Sequence, residues 1–159
     1  MDSTKKKPDL YGEGFFTAVS AGFFFLLVGV IFIITPNLFN AAVDFLQNLE
    51  LARVPNTDIF LPQPTNLASN LTVYQAVGQI AIVVCAFQLF MIALRFVFHS
   101  SMNKRAETVG NLVYWAGAAF LVQTYLVDSM QWFVYWALLI IVVGVSLIAR
   151  AAVMAASRI

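Results

Sequence analysis

Four apolar runs, each long enough to cross a lipid bilayer and each free of aspartate and glutamate, constrain this chain more than any motif in it. They occupy residues 14–35, 72–98, 108–127 and 131–149. A hydrocarbon core about 30 Å thick needs roughly 20 consecutive, mostly apolar residues of helix to cross it. Backbone amides find no water in that core, so only helices and closed barrels span it, and unbroken runs of this length fit helices. A soluble domain hiding the runs in a core is the competing reading. It fails on composition: 61% of the residues are hydrophobic and 11% charged, against about 45–50% and about 25% in soluble chains. The sequence predicts an all-α fold, a four-helix transmembrane bundle with an external amphipathic helix between spans one and two.

Local punctuation supports these boundaries. Thr35-Pro36 offers an N-cap hydroxyl followed by a proline at the first helical position, which predicts a new helix there. Thr72-Val73-Tyr74-Gln75 has the form of a capping box and predicts the start of the second span. The short Asp128–Gln131 connection predicts that spans three and four form an antiparallel hairpin. The first run exceeds the apolar stretch of a signal peptide, and no small-residue cleavage pattern precedes Pro36.

Orientation follows from the cations, because short loops rich in Lys and Arg stay cytoplasmic. Of the nine Lys and Arg residues only Arg53 falls between spans one and two. Lys5, Lys6, Lys7, Arg95, Lys104, Arg105, Arg150 and Arg158 share the other side, which predicts a multi-pass protein of the cell membrane with both termini cytoplasmic. Residues 1–13 and 99–107 are then a cytoplasmic tail and loop, the extension to residue 159 is cytoplasmic, and residues 36–71 are external. Within that external segment Leu38, Ala42, Phe45, Leu46 and Leu49 recur at helical spacing, so residues 37–52 are expected to form an amphipathic helix at the outer interface. Residues 54–70, with Pro55, Pro62, Pro64 and several asparagines, have loop chemistry. Asn70-Leu71-Thr72 matches a glycosylation pattern too close to a helix start to favour occupancy.

Chemistry-bearing sets are missing from the sequence. There is one histidine and one cysteine, so no disulfide can close within the chain, and Cys85 reads as a small hydrophobe. General acid–base work and metal binding need titratable groups in sets, and no such set, phosphate loop or nucleophile elbow is present. The expectation is a protein without catalytic residues, cofactor or metal. No span carries the carboxylate that ion-coupled carriers keep at mid-membrane. A net charge of +1 gives no basic face for nucleic acid.

Polar residues concentrate on span two. At about 100° per residue Gln75 and Gln79 share one face, while Gln88, Arg95 and, more loosely, His99 share the opposite one. These five are the candidate functional cluster. The second face either lines a cytoplasm-facing cavity or binds an anionic headgroup or a partner's carboxylate; alternatively Arg95 and His99 snorkel while Gln88 bonds across helices. Tyr114, Trp115, Tyr125, Trp132, Tyr135 and Trp136 read as headgroup-belt aromatics. Phe15, Phe16, Phe23, Phe24 and Phe25 are expected to face lipid or a neighbouring subunit.

Small residues at spacing four permit close helix contacts. Gly14, Ala18 and Gly22 form such a row on span one, and Gly110, Gly117 and Ala118 give similar relief on span three. Four-span topology invites comparison with claudins and tetraspanins, but the external segment has no cysteine and no Cys-Cys-Gly. The expectation is a non-catalytic subunit or scaffold of a membrane complex or homo-oligomer, whose partners are the lipid bilayer and other membrane subunits or copies of itself, with no nucleic acid and no soluble substrate. The alternative is a small oligomeric channel or transport protein lined by the polar residues of span two.

Overall fold

The computed structural model describes residues 10–98 and 100–156, with side chains from Gly14 onward. His99, the Lys5–Lys7 run and Arg158 lie outside the described residues. Five α-helices run in the order α1 (Leu10–Ile34), α2 (Leu38–Gln47), α3 (Leu71–Val97), α4 (Met102–Leu121) and α5 (Trp132–Ala156). Two strands, β1 (Leu49–Arg53) and β2 (Phe60–Pro64), lie between α2 and α3. Among the described residues three helices are long and apolar enough to cross a membrane: Gly14–Ile34, Ala68–Val97 and Trp132–Ala156. The mostly helical architecture matches the sequence reading, and these three helices overlap three of its four runs.

The fourth run behaves differently at its start. Its helix, α4, opens six residues before the apolar stretch, because Lys104 and Glu107 pair at i,i+3 with 3.1 Å between Nζ and Oε2. Thr108 Oγ1 also donates to the Lys104 carbonyl at 2.9 Å. After Leu121 the chain widens into a π-helical segment, Val122–Asp128, a rare form found mostly as single-turn bulges in α-helices. Val122 is 1% exposed, and its Cγ1 lies 3.3 Å from where a methyl on Gly78 would sit. The missing Cβ of Gly78 thus makes room for the bulge. Ser129 closes the segment by donating from N and Oγ to the Thr124 carbonyl at 3.1 and 2.7 Å.

α3 and α5 flank α4. Gly110 meets Ser146 and Arg150 while Gly117 meets Val142, so residue numbers fall on one helix as they rise on the other, and the predicted antiparallel hairpin is present. α1 packs chiefly on α3, through Leu27 and Ile31 near Ala76 and Val84 and through Phe23 stacked on Phe87 at 3.9 Å. Phe16 and Phe23 are therefore occupied within the chain, whereas Phe15 and Phe25 are exposed.

The segment between α1 and α3 departs from expectation. The amphipathic helix is α2, which ends at Gln47, five residues short of the predicted end, and residues 49–64 form an antiparallel hairpin rather than helix and loop. Leu49, Leu51 and Arg53 sit opposite Pro64, Pro62 and Phe60. The sequence was ambiguous here because Leu49-Glu50-Leu51 alternates with period two while Leu49 also continues the helical row from Leu38. Asn48 resolves it: its Nδ2 donates to the Asp44 carbonyl at 2.8 Å, ending the helix, and its own carbonyl accepts from Thr65 N and Oγ1 at 3.0 and 2.9 Å. The prolines are tolerated because a two-stranded sheet consists of edges. Arg53 pairs with Asp58 across the hairpin turn, where Asn56 takes positive φ.

Two predicted caps are also relocated. α2 begins at Leu38 after Asn37 at φ 57°, without a side-chain cap, so Thr35-Pro36 occupies the turn and not the helix start. α3 begins at Leu71 and continues a 3₁₀ turn, Ala68–Asn70. Asn66, not Thr72, supplies the capping oxygen: its Oδ1 accepts from Ala68 N at 3.0 Å and Ser69 N at 3.3 Å. Asn70 is 5% exposed and its Nδ2, the atom a glycan would join, donates to the Asn66 carbonyl at 2.7 Å.

Candidate functional site: a polar cleft between three helices

Two of the predicted polar residues meet in a cleft of ≈430 Å³ between α1, α3 and α4. Gln88 and Arg95 stand seven residues apart on one face of α3, about 10 Å along the axis, and both are half-buried. α4 brings Lys104, Glu107 and Asn111 to the same space, and α1 contributes Ser20. Met91, 2% exposed, also lines it, between Gln88 and Arg95 along α3. Phe16 forms a side of the cleft, with the Arg95 guanidinium carbon 5.6 Å from its ring centroid. Cation–π contact of this kind is worth more where water is excluded.

Charge in the cleft does not cancel. Among the described residues of the lining Lys104 and Glu107 neutralise one another, which leaves Arg95 as the surplus cation. Its Nε is enclosed and has no hydrogen-bond partner among the described residues. The cleft can therefore accept an anion, and its amide and hydroxyl groups can bond neutral oxygens. Among the described residues no three of His, Cys, Asp and Glu come together to hold a metal.

Gln75 and Gln79 do not join this site. Both are exposed, on the face of α3 turned away from Gln88 and Arg95 and toward the hairpin end. The two faces that helical spacing assigns to these residues are two separate features of α3. Lys104, Glu107, Asn111 and Ser20 were missed because they arrive from other helices. The signals that existed were the i,i+3 Lys104–Glu107 pair and the Thr17–Ser20 spacing, which sets two hydroxyls on one side of α1.

At the hairpin end an aromatic cluster ties the connection to the helices. Phe45, Tyr74 and Trp132 have ring centroids 6.0 to 6.4 Å apart, and Trp132 Nε1 donates to the Pro62 carbonyl at 2.9 Å. Trp132 and Tyr135 are each 8% exposed, so these two pack against the rest of the protein. Comparison with known proteins finds no match: no family model, no curated protein and no solved structure corresponds to this chain.

Proposed function

We infer that this chain is a four-span protein of the cell membrane, a non-catalytic subunit or scaffold that packs against other membrane proteins or against copies of itself. One observation carries the reading. The two small-residue rows have similar composition but opposite fates: Gly110 and Gly117 of α4 are filled by α5, whereas methyls on Gly14, Gly22 and Gly29 of α1 would meet nothing within 4 Å among the described residues. In lipid, small residues gain their value by letting another backbone approach. The open row of α1 has the form of a contact surface whose other half lies on a different polypeptide.

Further features support the reading. Gln75 and Gln79 are exposed near one end of α3, and glutamine amides turned toward hydrocarbon favour partners on a neighbouring helix. α4 with its π-helical continuation extends to Asp128 and packs between α3 and α5, which supports reading residues 108–127 as a fourth crossing. The cations at its Lys104 end orient that end to the cytoplasm by the positive-inside rule, with α2 and the hairpin outside.

Extraction of native membranes in a mild detergent, followed by light scattering on the eluted particle, tests this. The expected result is a complex with other polypeptides or a defined homo-oligomer. Recovery of the chain only as a monomer refutes it. The exposed glutamines also support a second reading, a channel in which several copies arrange Gln75 and Gln79 around a pore. Proteoliposomes with the natural protein and with Gln79→Leu would then differ in ion flux, and equal negligible leak removes that reading.

A further inference from the structure

We propose that the cleft between α1, α3 and α4 binds the headgroup of an anionic glycerophospholipid from the bilayer leaflet at the Lys104 end. The inference rests on the chain being embedded in a membrane, and it deepens that reading by assigning a ligand to the cleft. Three observations carry it. The lining has a surplus positive charge, from Arg95 beside the neutral Lys104–Glu107 pair, and one phosphodiester balances it. Arg95 Nε is enclosed and has no hydrogen-bond partner among the described residues, a state that is destabilising for a donor and that a phosphate oxygen relieves through a charge-assisted bond. A volume of ≈430 Å³ falls within the usual range for small-molecule sites, about 300–1,000 Å³, and accommodates a phosphate with its glycerol while leaving the acyl chains outside.

The wall on the α1 side decides between a lipid and a protein carboxylate. Phe24 and Phe25 border the cleft and are 40% and 74% exposed, so the polar interior opens directly onto an apolar helix surface. A molecule with an anionic head and hydrocarbon tails matches both halves of that boundary. A carboxylate side chain matches only the first. Gln88, Asn111 and Ser20 add neutral groups that suit glycerol or headgroup hydroxyls.

The test is native mass spectrometry of the full chain, delipidated in mild detergent and titrated separately with dioleoyl phosphatidylglycerol, dioleoyl phosphatidylcholine and inorganic phosphate. The expected result is one retained phosphatidylglycerol per chain and retention of phosphatidylcholine weaker by about tenfold, because its choline brings a second cation to the cleft and offers no hydroxyl to Gln88, Asn111 or Ser20. Arg95→Gln should lower phosphatidylglycerol retention by about the same factor. Glu107→Gln should strengthen it, because the cleft then holds an unbalanced Lys104 as well. Lys104→Gln should weaken it, and this pair of opposite signs carries the test if Arg95→Gln fails to fold. Arg53→Gln deletes a cation in the hairpin and should change nothing. Equal retention of both lipids, or retention indifferent to Arg95 and Glu107, overturns the proposal. Inorganic phosphate bound as tightly as the lipid overturns the assignment to a lipid. Failure of the underlying reading is seen separately, as chain recovered in the aqueous fraction before any lipid is added.

Discussion

Gly117→Ala adds a single methyl group where the packing of α4 on α5 has no room for one. The new Cβ would stand 2.6 Å from Val142 Cγ1, 2.9 Å from Cγ2 and 3.4 Å from Cβ, whereas carbon atoms pack best at about 3.5–4.0 Å. Val142 cannot turn aside, because a valine in a helix holds essentially one χ1 rotamer. The helices must separate, and overpacking of this kind costs about 1–3 kcal/mol. Alanine is favoured over glycine in a helix interior by about 1 kcal/mol, so the net loss is up to about 2 kcal/mol. With Val142→Ala in place the two opposing methyls are gone, and Gly117→Ala should then stabilise the protein. Stability would be read by titrating micelle-bound protein with a denaturing detergent and following circular dichroism. A double-mutant cycle that is additive within about 0.5 kcal/mol, or a stabilising Gly117→Ala in the natural background, refutes the packing described here. Gly144→Ala on α5, where nothing lies within 4 Å, is the matched control and should not destabilise.

Trp132→Phe keeps a ring in the aromatic cluster but removes the bond to Pro62; a loss of about 0.5–1.5 kcal/mol is expected, with faster amide exchange confined to residues 49–64. Phe23→Leu abolishes the stack on Phe87, and unfolding in micelles should show α1 loosened by about 0.5–1.5 kcal/mol while the α4–α5 hairpin is unaffected. In a Cys85→Ser background, a cysteine replacing Asn56 should react with a membrane-impermeant thiol reagent on intact cells, and one replacing Lys104 should react only after permeabilisation; the reverse pattern inverts the proposed orientation.

What the sequence reveals about this protein depends on how far apart the interacting residues lie along the chain. Spans one, two and four coincide with α1, α3 and α5 to within a few residues, apart from longer helical extensions at the ends of α1 and α5, because an uninterrupted apolar run determines its own conformation in hydrocarbon. The face shared by Gln88 and Arg95 was equally legible, since helical periodicity alone places them together. Lys104, Glu107 and Ser20 complete the cleft from two other helices, and no local pattern announces which helix neighbours which. The hairpin was hidden for a different reason. Leu49 satisfies both a helical and an alternating pattern, and the choice is made by Asn48 and Thr65, a contact across the whole hairpin. The π-helical segment likewise depends on space left by Gly78 of another helix.

Photo-crosslinking from position 22, with an unnatural amino acid replacing Gly22 in native membranes, asks directly what covers the open face of α1. Adducts of defined mass with another membrane protein, or with a second copy of this chain, are the predicted result. Adducts with lipid alone would contradict the account, because the small-residue face of α1 would then be bare.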